Sequence, residues 1–220
     1  MWYVFAMLWA YFDESGLHAS QQSGGDLRKL TVGGCIADAE AWNQLSVDWS
    51  AALSAWELPV FHMAAFENRV APYDKWTPDE RKERLNILLE MIGRTKAYCY
   101  GVTNIVRHGD NTAKIYERCV YDTFLGLSMN WNEKFSIIFA HHPEYRRQER
   151  LYAKMIAHGL RAQVVSCTIE RPINVAPLQA ADIVAYEICR DEREEGRERR
   201  WPLKRLSDLG CTFRFSSAVG

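Results

Sequence analysis

With 220 residues, 48% of them hydrophobic and 12% aromatic, the chain carries enough apolar side chain to bury one substantial core, and it does not read as a disordered protein. A net charge of -1 gives no overall basic footprint, so any nucleic-acid binding rests on local patches or on metal ions recruited by carboxylates, which counts against a nonspecific coating protein. The cysteines (Cys35, Cys99, Cys119, Cys167, Cys189, Cys211) are far apart with no CxxC pair, which argues against zinc ribbons and disulfide scaffolds.

From Trp2 to Phe12 no side chain is charged or strongly polar, and aromatic or branched residues occupy both parities, as in a strand at the centre of a sheet covered on both faces. The run has no basic n-region and no clear small-residue cleavage site, and it is too short to span a bilayer. It therefore predicts a core strand in a cytoplasmic protein with no membrane partner. It ends in Asp13-Glu14-Ser15-Gly16. Side-chain alternation puts Asp13 on the face of Tyr11 and Trp9 and sends Glu14 to the opposite face or into the loop, so Asp13 is the stronger candidate for chemistry. The alternative is that Asp13 or Ser15 caps the turn.

The polar, glycine-bearing stretch from Ser15 to Asp26 leads into a second strand over Leu27 to Ala37, giving an opening hairpin with a long loop. Gly33-Gly34 within that strand reads as a bulge, since it lacks the spacing of a phosphate cradle. Asp38 is an N-cap for an amphipathic helix carrying Trp42, Leu45, Trp49, Leu53 and Trp56. After Phe61-His62 and Glu67, Thr77-Pro78-Asp79-Glu80 starts a helix through Ile92, which makes about 38–95 a helical insertion. Ala97 to Val106 reads as a strand, Asp110 to Trp131 as a helix, and Phe135 to Ala140 as a short buried strand. His141-His142-Pro143 ends that strand, and Arg146 to His158 is a basic helix closed by Gly159. A strand over Ala162 to Ile169 and a helix opened by Pro177 follow. A charged tail, about 190–220, packs back on what reads as a single α/β domain, with a mixed central sheet and helices on both faces.

That last helix, Pro177-Leu178-Gln179-Ala180-Ala181-Asp182-Ile183-Val184-Ala185-Tyr186, is small and apolar except for Gln179 and Asp182, which share a face. Its alanines let it lie close on a sheet, so Asp182 must be protonated, paired or bound to metal; an arginine such as Arg190 is the alternative partner.

An apolar strand ending in Asp-Glu-Ser-Gly, a Phe61-His62 pair followed by Glu67, and a Gln-x-Ala-Asp helix together resemble domain-of-unknown-function family 3800, over Tyr11 to Tyr186. That family is similar to the ribonuclease H-like superfamily. The resemblance implies a sheet whose first strand and last helix bring acids together around Mg²⁺ or Mn²⁺, hence a divalent-metal-dependent nuclease or phosphodiester hydrolase, from bacteria or phage. Asp13 and Asp182 would be catalytic and metal-binding, with Glu14, His62 and His141 as further catalytic candidates and Glu144 as a third metal ligand. Ser15, Gln179, Arg146 and Arg147 would meet the nucleic-acid substrate, although the arginines on their own read more readily as a solvated face. One departure stands out: ribonuclease H-like enzymes usually place an acid at the tip of the strand that here ends Ala140-His141-His142-Pro143-Glu144. Histidine can ligate Mn²⁺ or act as a base, but a missing acid weakens Mg²⁺ binding. The competing reading is a catalytically degenerate scaffold that binds nucleic acid or a partner protein without cutting. The sequence is also compatible with a homo-oligomer.

Overall fold

A computed structural model describes residues 7–16, 28–107, 109–131, 133–141, 164–193 and 198–218. Six strands form one mixed sheet: β1 (Leu8–Ser15), β2 (Arg28–Asp38), β3 (Tyr98–Val106), β4 (Phe135–Ala140), β5 (Val164–Glu170) and β6 (Thr212–Ala218), in the order β5-β4-β1-β2-β3-β6. β2 runs antiparallel to both β1 and β3, whereas the β1/β4, β4/β5 and β3/β6 pairs are parallel. β1 and β3 therefore point the same way, and their C-terminal ends share one rim of the sheet with that of β4.

The predicted central strand is central, with Ala10, Tyr11 and Phe12 buried. Within the described residues it begins at Leu8; residues 1–6 lie outside them. Alternation divides its side chains between two layers. Ala10 and Phe12 pack with Val32, Val102 and helix α4 (Thr112–Asn130), which contributes Cys119, Val120, Phe124 and Leu127. Tyr11 faces the other layer, formed by α1 (Ala39–Ala55), α3 (Pro78–Arg94) and α5 (Ala176–Arg193). Between α1 and α3 lie the short α2 (Met63–Glu67) and a 3-10 turn at Tyr73–Lys75.

Local capping sets the helix starts as the sequence predicts. Asp38 accepts from the Ala41 N–H at 2.8 Å. Thr77 and Glu80 form a reciprocal capping box with Pro78 at the first helical position.

Two expectations change. Gly33-Gly34 is no bulge, because the β1/β2 register runs unbroken through Phe12↔Gly34 and Asp13↔Gly33. The reason for glycine is close approach: a Cβ on Gly33 would stand 2.9 Å from the Ala185 Cα, so the bare backbone lets α5 settle on the sheet. The tail is also more ordered in kind than a charged linker. Trp201–Asp208 forms α6, and Thr212–Ala218 completes the sheet as β6, covering the edge of β3. The predicted basic helix from Arg146 to His158 lies outside the described residues.

Candidate functional site

β1 delivers Asp13 and Glu14 to the C-terminal rim of the sheet. Parity places Asp13 with Tyr11 on the α5 side, as predicted, and the turn beyond requires Gly16: its φ is +115°, and a Cβ there would lie 2.1 Å from the Lys29 carbonyl oxygen. Glu14 does not remain on the opposite face. Its carboxyl hydrogen-bonds the Asp13 side chain and interacts electrostatically with Asp182 and His62. Ser15 is half-buried at the last rung, opposite Thr31.

The Val60-to-His62 segment enters from the insertion without a strand or helix, Met63 opens α2 with its N–H outside the helical ladder, and the three consecutive amides from Phe61 to Met63 are met by side chains instead. Phe61 N–H donates to Gln179 Oε1 (2.8 Å), His62 N–H to the Tyr73 hydroxyl (2.9 Å), and Met63 N–H to Asp182 Oδ2 (2.7 Å). Gln179 also accepts from Trp49 Nε1 at 3.0 Å and donates to the Pro172 carbonyl at 2.9 Å. Its amide is thus committed to protein partners, and with 3% of its surface exposed Gln179 positions the segment. The spacing of three between Gln179 and Asp182 matches the two-residue step from Phe61 to Met63.

This clamp sets His62 beside the carboxylates. His62 Nδ1 lies 3.1 Å from Asp182 Oδ2, with the imidazole side chain 58% exposed and the carboxylate 10% exposed. The hydrogen bond to Asp182 raises the imidazole pKa above its usual value, against the opposing effect of burial. Asp182 Oδ1 takes no hydrogen bond from the described residues. The backbone N–H of Met63 and the His62 imidazole meet Asp182, the role for which Arg190 was the alternative partner.

Burial pushes the Asp13 carboxyl well above the usual carboxylate range, and the neighbouring charges of Glu14 and Asp182 push in the same direction. Burial likewise raises Glu14, to about 7, against the hydrogen bond from Asp13 that lowers it. Among the described residues the site therefore crowds three acids around one imidazole, with Asp13 and Asp182 169 positions apart in sequence. Oxygen donors with one imidazole suit Mg²⁺ or Mn²⁺ in kind, and a divalent cation would offset the same crowding that raises these pKa values. Among the described residues, no three His, Cys, Asp or Glu side chains already stand as a ligand cage.

Glu67 lies apart from the acids: with Glu187 it binds Arg200, whose Nη2 is 3.2 Å from Glu67 Oε1 and whose Nε is 2.8 Å from Glu187 Oε2. His141 follows β4 at the same rim, since Phe12 pairs with Phe139, but it is exposed and its backbone N–H donates to Glu170 O at 2.8 Å. No hydrogen bond or ion pair joins its ring to Asp13, Glu14 or Asp182 among the described residues. His142, Glu144, Arg146 and Arg147 lie outside the described residues. Tyr73, Trp49 and Arg200 were not singled out from sequence; a buried polar partner for an unladdered segment leaves no local pattern to read.

Comparison with protein-family models, curated proteins and solved structures finds no match to this chain. No helix among the described residues is long and apolar enough to cross a membrane.

Proposed function

We propose that this protein is a divalent-metal-dependent phosphodiester hydrolase of ribonuclease H-like architecture, acting on nucleic acid. The observation that carries the reading is that Asp182, from α5, stands close enough to Asp13 and Glu14 at the end of the central strand to push both carboxyls up in pKa. The first strand at the centre of the sheet, beneath the acid-bearing helix α5, is the arrangement that resemblance to family 3800 implies.

Asp13, Glu14 and the uncommitted Oδ1 of Asp182 would hold Mg²⁺ or Mn²⁺. When bound, such an ion supplies a Lewis acid beside the phosphoryl group and a water of lowered pKa. The chain's own contribution is placement. Asp182 uses one oxygen to fix the Phe61–Met63 segment and keeps the other for the site, so the histidine and the acids are positioned by the same carboxylate. With Nδ1 on Asp182, His62 has Nε2 left to give a proton to the departing oxygen.

The test is incubation of purified protein with end-labelled single- and double-stranded DNA, RNA and hybrid, in Mg²⁺ or Mn²⁺, beside Asp13→Asn and Asp182→Asn. Cutting that needs the cation and disappears in both variants supports the proposal. Cutting that survives in either variant, or no cutting of any substrate, overturns it; in the second case the non-cutting binding scaffold takes its place.

A further inference from the structure

Two strands away from the acids, at the same rim but on the α4 side of the sheet, β3 and the start of α4 enclose a second pocket of about 300 Å³. It is lined by Asn104, Arg107, Asp110, Asn111, Lys114 and Arg118, among others. This volume lies at the lower end of the range for small-molecule sites, enough for about one nucleotide.

The lining favours an anion. Arg107 and Lys114 have no carboxylate partner among the described residues, and Arg118 meets Asp122 only at 3.7 Å with most of its side chain in solvent. Asp110 is the one acidic residue in the lining among the described residues, and its Oδ2 accepts from the Arg107 backbone N–H at 2.6 Å, which closes the turn. Asn111 is occupied as the N-cap of α4, accepting from Lys114 N–H at 3.3 Å.

Asn104 supplies the second, independent feature. It is 5% exposed, and its Nδ2 donates to Cys119 Sγ at 3.1 Å. Cys119 Sγ in turn faces the Leu30 carbonyl at 3.5 Å as donor, which fixes the sulfur as the acceptor of the Asn104 amide. Asn104 Oδ1 is then left with no hydrogen bond among the described residues, in a side chain that lines the pocket. That acceptor is open to a donor in the pocket, and the cations alone do not use it. A ligand that presents a hydroxyl next to a phosphate satisfies both features, and a ribonucleotide, with its 2′-hydroxyl, is such a ligand.

We propose that this pocket binds one nucleotide of an RNA strand, with Arg107 and Lys114 on the phosphate and Asn104 Oδ1 accepting from the ribose hydroxyl. From Asp13 the sheet register leads through Gly33 to Gly101, and Asn104 is three residues further along β3. At strand and residue spacings of about 4.8 and 3.3 Å, the backbone separation is roughly 14 Å, so a strand held here would cross the rim a few nucleotides from the acids. The proposal takes its rim placement from the proposed reaction, but metal-free binding can fail or succeed separately from cutting.

The experiment is fluorescence anisotropy in EDTA with labelled RNA and DNA 12-mers of one sequence, and with inorganic phosphate as competitor. RNA should bind at least several-fold more tightly than DNA, and millimolar phosphate should compete only weakly. Lys114→Gln and Arg107→Gln should each weaken RNA binding about fivefold to tenfold and lower its salt dependence by about one ion. Asn104→Ala should reduce RNA affinity to the DNA level while leaving DNA binding in place, which also shows that the variant is folded; Asn104→Ser serves if the alanine variant is not. Equal RNA and DNA binding, or RNA binding unchanged in both the Lys114 and Arg107 variants, overturns the proposal, as does phosphate competing as well as unlabelled RNA.

Discussion

The side-chain hydrogen bond between Asp13 and Glu14 joins two carboxyl groups, and such a bond needs one proton between them. Both groups have raised pKa values, so the folded protein binds protons more tightly than the unfolded chain does. Their favourable contribution is complete below the unfolded value, near 4.5 for Glu14, and is lost as pH rises through about 7. For Glu14 that span corresponds to about 3 kcal/mol. His62, also raised, acts with the same sign: its pairing with Asp182 favours the fold at low pH and fades as pH rises through its elevated value. In EDTA, urea unfolding should therefore show lower stability at pH 8 than at pH 5.5. Asp13→Asn should recover roughly 1–3 kcal/mol at pH 8 by removing one of the crowded charges, while abolishing cleavage. A loss of stability in Asp13→Asn at pH 8 would contradict the crowding.

At the scale of elements, α5 does two jobs with one face: it lies on bare glycine and it clamps the Phe61–Met63 segment. A side chain on Gly33 would meet the Ala185 backbone, so Gly33→Val should cost about 1–3 kcal/mol and shift Asp182 away from Asp13. Thermal denaturation reads the first effect and loss of the proposed cleavage the second. The clamp predicts a smaller, more selective change. Tyr73→Phe leaves the His62 N–H without its acceptor, at an expected cost of about 1–2 kcal/mol, and should lower cleavage more than a surface control such as Lys75→Ala.

Across the whole molecule, Arg200 joins parts that are distant in the chain. It sits just before α6 and binds Glu187 of α5, which is fully buried, together with Glu67 at the end of α2. Burial raises the Glu187 carboxyl above its usual range, partly offset by Arg200. Arg200→Ala would leave a buried carboxylate unpaired, and removal of one partner from such a pair costs about 3–5 kcal/mol. The loss should be largest at pH 8 and shrink at pH 5, where Glu187 can take up a proton. Unfolding measured at both pH values distinguishes this from loss of an ordinary surface contact, which would cost little at either.

Much of this was determined by the sequence itself, because it is written in local pattern. The apolar run before Asp13 reads as an interior strand, and Leu8–Ser15 is one. The caps at Asp38 and Thr77 and the small-residue face of α5 were equally legible, whereas the pairing of Asp13 with Asp182 rested on the resemblance to family 3800 and on no local pattern. The tertiary structure decided what depends on contacts between distant residues. Gly33 looks like a bulge until Ala185 is seen against it. Gln179 looks like a substrate contact until Trp49, Phe61 and Pro172 are found to use its amide. Phe213 and Phe215 alternate as a strand should, but only the open edge of β3 makes that alternation β6. Glu14 shows the limit most clearly: alternation along β1 sends it away from Asp13, yet past the last β4 rung at Phe12 its carboxyl turns back to share a proton with its neighbour.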